Sequence, residues 1–66
     1  MEKLLDRLNE LDVLCTTSPV DDKYLCELII IFDDFEHLVV YGDDKDEFEA
    51  VIRAASKLPQ SVRAKL

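Results

Sequence analysis

A run of β-forming residues at positions 23–32 constrains the fold of this chain more than any other feature. The run reads KYLCELIIIF and is dense in β-branched and aromatic side chains, which pack well on the pleated surface of a sheet. Successive side chains of a strand point to opposite faces of the sheet. One face therefore carries only apolar residues, which we expect to line the core: Tyr24, Cys26, Leu28, Ile30 and Phe32. The other face carries Leu25, Glu27, Ile29, Ile31 and Asp33.

The neighbouring segments predict a small antiparallel sheet around this strand. Residues 37–41 (HLVVY) form a second strand, and residues 33–36 (DDFE) are rich in turn formers and make a hairpin connection. Residues 13–17 (VLCTT) favour extended backbone and form a possible third, short strand, followed by turn-forming residues at 18–22. Gly42, the single glycine, is expected to close the second strand where a positive φ or a tight bend is needed.

Helical patterns lie before and after the strands. Near the N-terminus, leucines follow the i, i+3, i+4, i+7 spacing of one helical face: Leu4, Leu5, Leu8 and Leu11, with Leu14 as an optional continuation. After the second strand, Asp44 is a candidate N-cap, and Glu47 three residues later completes a capping box. The buried stripe of this second helix is predicted to be Phe48, Val51, Ile52, Ala55 and Leu58, and Pro59 ends the helix.

The chain is long enough for a single small domain, residues 1–66, of the α+β class. We expect a helix, an antiparallel β-hairpin with a possible third strand at 13–17, and a second helix, with both helices on one face of the sheet. The second face would then be an apolar patch bordered by acids. Its predicted interface residues are Leu25, Ile29, Ile31, Val39 and Tyr41. Either a second copy or a target covers this face, or the C-terminal turn around Val62 and Leu66 folds over part of it; we expect an interface and a homodimer.

Charge is distributed very unevenly along the chain. Residues 12–49 hold twelve acids against two lysines, a net charge of −10, whereas residues 50–66 hold no acid and four basic side chains. Such a chain should be repelled by nucleic acids and anionic membranes and attracted to basic surfaces. Counted with the short strand, the element order is also that of double-stranded RNA-binding domains. Those domains grip phosphate with lysines at the start of their last helix, where this chain places Asp43, Asp44, Asp46 and Glu47, so the charge argues against that function.

No constellation of catalytic, metal-binding or cofactor-binding residues is evident. The single histidine, His37, lies beside the hairpin turn without a serine or cysteine nucleophile marked by its context. Cys15, Cys26 and His37 have spacings unlike a zinc finger, and no EF-hand loop or phosphate-binding glycine loop is present. We therefore expect no enzyme activity, no metal and no cofactor.

Two cysteines are too few for the disulfide framework of a secreted domain, so both are expected to be reduced. The N-terminal segment becomes charged too early for a signal peptide, and the longest near-apolar run, 28–32, is too short to span a membrane. We expect a soluble protein of the cytoplasm, or of the host cytoplasm if the protein is viral.

The acids are predicted to gather at the two ends of the hairpin and to contact a partner. The candidate contact residues are Asp33, Asp34, Glu36, Asp43, Asp44, Asp46 and Glu47. A row of carboxylates of this extent could imitate a short phosphate track, and the chain resembles in type the phage and plasmid proteins that block nucleic-acid-binding enzymes. The first hypothesis is therefore an inhibitor that occupies a basic, nucleic-acid-binding surface of another protein. The alternative is a structural or adaptor module that self-associates through the apolar sheet face.

Overall fold

A computed structural model describes residues 2–31 and 36–66 and confirms the α+β architecture. The elements in chain order are α1 (Glu2–Glu10), β1 (Val13–Val20), β2 (Lys23–Ile31), β3 (His37–Asp44), α2 (Glu47–Ala55) and α3 (Gln60–Arg63). Phe32 and the predicted hairpin residues Asp33, Asp34 and Phe35 lie outside the described residues. None of the described helices is long and apolar enough to cross a membrane.

The three strands form one antiparallel sheet in the order β1-β2-β3. The possible third strand is real and longer than expected, because residues 18–20 continue β1 instead of forming a turn. Pro19 is compatible with this position because β1 is an edge strand. A residue whose nitrogen faces away from the sheet makes no inter-strand hydrogen bond there, so proline's lack of an N–H costs none. The turn between β1 and β2 is thereby reduced to Asp21 and Asp22.

Two aspartates at chain reversals adopt the left-handed backbone conformation. Asp12 has φ 58° between α1 and β1, and Asp21 has φ 57° between β1 and β2. Aspartate tolerates this region better than most residues because its short polar side chain can bond locally. The sequence predicts neither conformation; it predicts a positive φ or a tight bend at Gly42.

Both helices pack on the same face of the sheet, as predicted. Helix α2 lies against β2 and β3, and α1 lies against β1. On the core-facing side of β2, Cys26, Leu28 and Ile30 are fully or nearly buried and Tyr24 is partly buried, which confirms the assignment of the two faces. The core consists of Leu8, Val13, Cys26, Leu28, Ile30, Val40, Ala50, Val51, Ala54, Ala55 and Leu58. Ile52, predicted to be in the buried stripe of α2, is instead 39% exposed, and the smaller Ala50 and Ala54 face the sheet.

Gly42 is required for a reason other than the predicted one. Its φ is not positive, and it lies within β3 opposite Cys26. A Cβ at this position would lie 2.6 Å from the carbonyl oxygen of Ala50 and 2.8 Å from Cα of Ala54, and closer still to the backbone nitrogen of Ala54. The backbone of α2 therefore crosses β3 at a distance that leaves no space for any side chain.

We expect the substitution Gly42→Ala to lower the free energy of unfolding by about 3 kcal/mol, because the added methyl group meets backbone atoms that cannot rotate away. Urea denaturation followed by circular dichroism measures this change. Ser18→Ala, an exposed control on edge strand β1, should stay within about 0.5 kcal/mol of the wild type. A Gly42→Ala variant as stable as that control would mean that α2 can shift away from the sheet at little cost.

Candidate protein-binding surface

The face of the sheet opposite the helices, here called the open face, carries a continuous apolar row. The strand register places Leu14 of β1 beside Ile29 of β2, and Ile29 beside Val39 of β3. Leu14 is 55% exposed, while Ile29 and Val39 are half-buried. Three strands at their usual separation give this row a width of roughly 10 Å.

The remaining residues predicted for the interface lie on the same face. Ile31 pairs with His37 and is 59% exposed, and Tyr41 is 48% exposed. Leu25 lies further along β2, opposite Asp43. The fold thus brings together all five apolar residues proposed from the sequence. It also places Leu14 on this face. The sequence does not predict this, because the face on which Leu14 lies depends on the register between β1 and β2.

The C-terminal turn does not take the place of a partner on this face. Val62 packs against the core cluster, which lies between the sheet and the helices. The Nε atom of Arg7 in α1 donates a hydrogen bond of 2.7 Å to the backbone oxygen of Lys65, which ties the C-terminus to the helical side. The alternative in which Val62 and Leu66 fold over the second sheet face is therefore wrong for Val62.

A carboxylate lies next to the apolar row of the open face. Glu27 occupies the central strand, with Thr16 and Tyr41 as its neighbours on the two sides. Its side chain is partly buried, and among the described residues it has no hydrogen-bond or ion-pair partner. A partly buried carboxylate loses part of its hydration. A cationic side chain supplied by another molecule would compensate this loss with a charge-assisted hydrogen bond.

The acids at the end of β3 have partners within the domain. The Nζ atom of Lys23 donates a 2.6 Å hydrogen bond to Asp43, which lowers the pKa of this aspartate and raises the pKa of the lysine. Asp44 accepts a 3.0 Å bond from the backbone N–H of Asp46 and a 3.1 Å bond from Nε of Arg53. The pKa of Asp44 is lowered, first by the backbone hydrogen bond and then by the charge of Arg53.

The sequence predicts Asp44 as the N-cap of α2, but the N-cap is Asp46. The carboxylate of Asp46 accepts a 3.2 Å hydrogen bond from the backbone N–H of Phe48. The predicted start of the helix was too early in the chain, because β3 continues to Asp44. Glu47 is the first residue of α2 and is half-buried. Its negative charge lies near the positive end of the helix dipole, which is electrostatically favourable.

The acids predicted at the other end of the hairpin are only partly placed. Asp33 and Asp34 lie outside the described residues, whereas Glu36 is exposed immediately before β3. Asp21 and Asp22 are exposed at the β1–β2 turn, near the strand end that holds Asp43. Within residues 2–31 and 36–66, no group of three or more potential ligand side chains is arranged to hold a metal ion.

Basic side chains are concentrated on the helical side of the molecule. Arg53 lies on α2 and Arg63 on α3, while Lys57 and Lys65 follow these two helices. On the open face, Lys23 is the one lysine or arginine among the described residues, and its charge is compensated by Asp43. The molecule therefore presents an apolar surface with acidic surroundings on one side, whereas on the helical side the basic side chains are mixed with acids of α1 and α2 such as Asp6, Glu10 and Glu49.

We expect Asp46→Ala to lower the free energy of unfolding by about 1 kcal/mol, because the N–H of Phe48 loses its acceptor. Asp46→Asn is the matched control, since it keeps an acceptor oxygen and removes the charge, and it should remain close to the wild type. Chemical denaturation of the three proteins makes the comparison. Equal destabilisation of the two variants would show that the charge of Asp46, and not the cap, stabilises the helix.

Comparison of the chain with protein-family models, with curated proteins and with solved structures gives no match. The function must therefore be inferred from the candidate surface itself. That surface consists of an apolar row across three strands, an adjacent carboxylate without a partner among the described residues, and acids at the strand ends.

Proposed function

We propose that this protein is a non-catalytic binding protein whose open face docks onto a basic surface of another protein. The observation that carries the proposal is the apolar row of Leu14, Ile29 and Val39 on the open face, beside the carboxylate of Glu27, which has no hydrogen-bond or ion-pair partner among the described residues. A soluble domain gains nothing from exposing such a row, and patches of this kind bordered by polar residues typically mark interaction sites.

The apolar row would supply the part of the affinity that does not depend on salt. Leu14 and Ile31 each keep more than half of their surface exposed, so complete burial against a partner is still available to them. Transfer of that remaining surface from water contributes on the order of 1 kcal/mol for each side chain. Tyr41 can add aromatic contact area, as tyrosine often does in interfaces.

The charges would orient the complex. A basic partner would be attracted to the sheet side, with Glu27 and the acids at the strand ends, more strongly than to the helical side, where acids are mixed with Arg53 and Arg63. An arginine or lysine of the partner placed against Glu27 would form a partly desolvated, charge-assisted pair. This arrangement favours association in one orientation and increases its rate.

Basic protein surfaces commonly bind nucleic acid, and an acidic domain that covers such a surface would compete with it. In this proposal, the protein inhibits a nucleic-acid-binding enzyme by occupying its phosphate-binding lysines and arginines. Asp33, Asp34 and Glu36, in the segment between β2 and β3, would make these contacts together with Glu27. Asp43, Asp44 and Asp46, which accept hydrogen bonds within the domain, would add to the negative field that attracts the partner.

Self-association through the open face is the second candidate, because the same uncovered row could pack against its copy. A two-fold axis near the row would bring the two Glu27 carboxylates close together in a partly dry interface. Like charges in such a place oppose association unless one of them is protonated. The position of Glu27 therefore favours a different protein as the partner.

We expect Ile31→Lys and Leu14→Lys to abolish capture of the partner, because each places a positive charge on the surface that meets a basic protein. Ile52→Lys is the matched control, since Ile52 is an exposed apolar residue on the helical side. Immobilised wild type and variants are incubated with a nuclease-treated lysate of the cells in which the protein occurs, and the affinity of the retained protein is then measured by calorimetry.

The expected result is a basic, nucleic-acid-binding protein retained by the wild type and by Ile52→Lys but lost from both open-face variants. Added nucleic acid should compete with its retention. Equal retention by all variants would exclude the open face as the binding surface. If only further copies of the chain are retained, and sedimentation shows dimers that Ile31→Lys dissociates, self-association replaces the proposal.

We also expect the triple variant Asp33→Asn, Asp34→Asn, Glu36→Gln to bind this partner more slowly and with a weaker dependence on salt. Exposed charges are screened within about 8 Å at physiological ionic strength, so the salt dependence reports how many of them contribute. Stopped-flow association at several salt concentrations gives the two slopes. Fold stability should be unchanged or improved, because the variant carries less like charge. Identical slopes for the variant and the wild type would show that these acids do not contact the partner.

A further inference from the structure

The two cysteines lie next to each other on the core side of the sheet. Cys15 of β1 pairs with Leu28, and Cys26 of β2 pairs with Thr17, so the cysteines are diagonal neighbours on adjacent strands. Their Sγ atoms are 3.8 Å apart. Cys26 is completely buried, whereas Cys15 is partly exposed, and both are free thiols. The sequence predicts both cysteines to be reduced but does not bring them together, because the extent of β1 and its register with β2 cannot be read from it.

We propose that Cys15 and Cys26 form a reversible intramolecular disulfide that connects the edge strand β1 to the central strand β2. The proposal is independent of the proposed function. A disulfide bond is about 2.05 Å long, so the sulfur atoms must approach each other by a further 1.8 Å or so. Side-chain rotation and a small shift of β1 can supply this movement, since β1 is paired on one side only.

The oxidant is a low-molecular-weight disulfide, and the reaction is thiol–disulfide exchange. The thiolate of Cys15, the accessible cysteine, attacks one sulfur of the oxidant, whose S–S bond breaks and releases one thiolate that takes up a proton. The thiolate of Cys26 then attacks the sulfur of Cys15 in this mixed disulfide and displaces the second small thiol. Two protein thiols and one small disulfide give one protein disulfide and two small thiols, and two electrons pass to the oxidant.

The surroundings of Cys26 affect the second step. Burial, together with the neighbouring Cys15, raises the pKa of Cys26 to about 12. Its thiolate is therefore scarce at neutral pH, and the closing step becomes faster as the pH rises. Such a thiol resists unspecific oxidation and reacts when a mixed disulfide has already formed beside it.

The disulfide would be coupled to the open face through the backbone. Leu14 and Thr16 are the chain neighbours of Cys15, and Leu25 and Glu27 are those of Cys26; all four belong to the open face. A shift of β1 that closes the sulfur–sulfur gap also moves Leu14 relative to Ile29 in the apolar row. Oxidation would thus alter the exposed surface from within the core.

The test measures how strongly the fold favours the disulfide. The reduced protein is equilibrated in buffers with a range of ratios of oxidised to reduced glutathione, with and without denaturing urea. Acid quenching, alkylation and mass spectrometry give the fraction of protein with a bond between Cys15 and Cys26. The square of the reduced glutathione concentration divided by the oxidised glutathione concentration, taken at half-oxidation, is the effective concentration of one thiol at the other.

We expect the effective concentration to be at least about tenfold higher in the folded protein than in urea, because the fold holds the sulfurs close together while the unfolded chain must close a loop. The oxidised protein should also unfold at a higher urea concentration than the reduced protein, and dithiothreitol should reverse both changes. Cys15→Ser should leave Cys26 as a free thiol under the same conditions.

An effective concentration in the folded protein equal to or below that in urea would overturn the proposal, since the fold would then oppose the bond. A product with glutathione on Cys15 and a free Cys26 would overturn it as well. Both measurements use the wild-type chain, so the conclusion does not depend on whether the serine variant folds.

Discussion

The close contact between α2 and β3 is the constraint on which the rest of the fold depends. Gly42 has no side chain, and the helix residues above it are Ala50 and Ala54, so the helix backbone lies directly on the strand. This contact brings α2 low over the sheet and lets Val51 and Leu58 reach the core between the strands and the helices. Because dispersion and hydrophobic terms depend on such short distances, small residues here contribute more to packing than larger ones would.

With α1 and α2 packed on one side of the sheet, none of the helices in the described residues lies over the other side. Helices α1 and α2 have nine residues each, and α3 has four. An α-helix rises 1.5 Å per residue, so each of the two longer helices spans only about 14 Å. The exposed row of Leu14, Ile29 and Val39 thus results from the packing of both longer helices on the opposite face of the sheet. A monomer retains this apolar surface in water, and a partner would remove it.

Much of the fold could be predicted from the sequence because two simple periodicities are clear in it. The alternation in residues 23–32 identified the buried face of β2, and the leucine spacing near the N-terminus identified α1. The extent of β1 could not be predicted, because the local preference of Ser18 and Pro19 for turns was overridden by pairing with β2. The N-cap was misplaced for a similar reason, since pairing with Tyr24 keeps Asp44 in β3 and delays the helix to Glu47. The role of Gly42 depends on a contact with a distant segment, which no local pattern reveals.

For the candidate surface, the sequence indicated its apolar residues, while the position of Glu27 beside them and the partners of Asp43 and Asp44 required the register.

The two-residue turn at Asp21 and Asp22 has a consequence for how the chain reaches its native state. A left-handed residue in so short a loop matches the twist of the paired strands, so β1 and β2 can join without a long chain closure. The next pair, β2 and β3, is also consecutive in the chain, which makes every strand pairing a hairpin between neighbours. Topologies built from such short-range pairings have a low contact order, and small domains of this kind fold rapidly. A chain that folds quickly exposes its core residues, such as Leu28 and Val51, only briefly while it is being made, which limits the time available for aggregation.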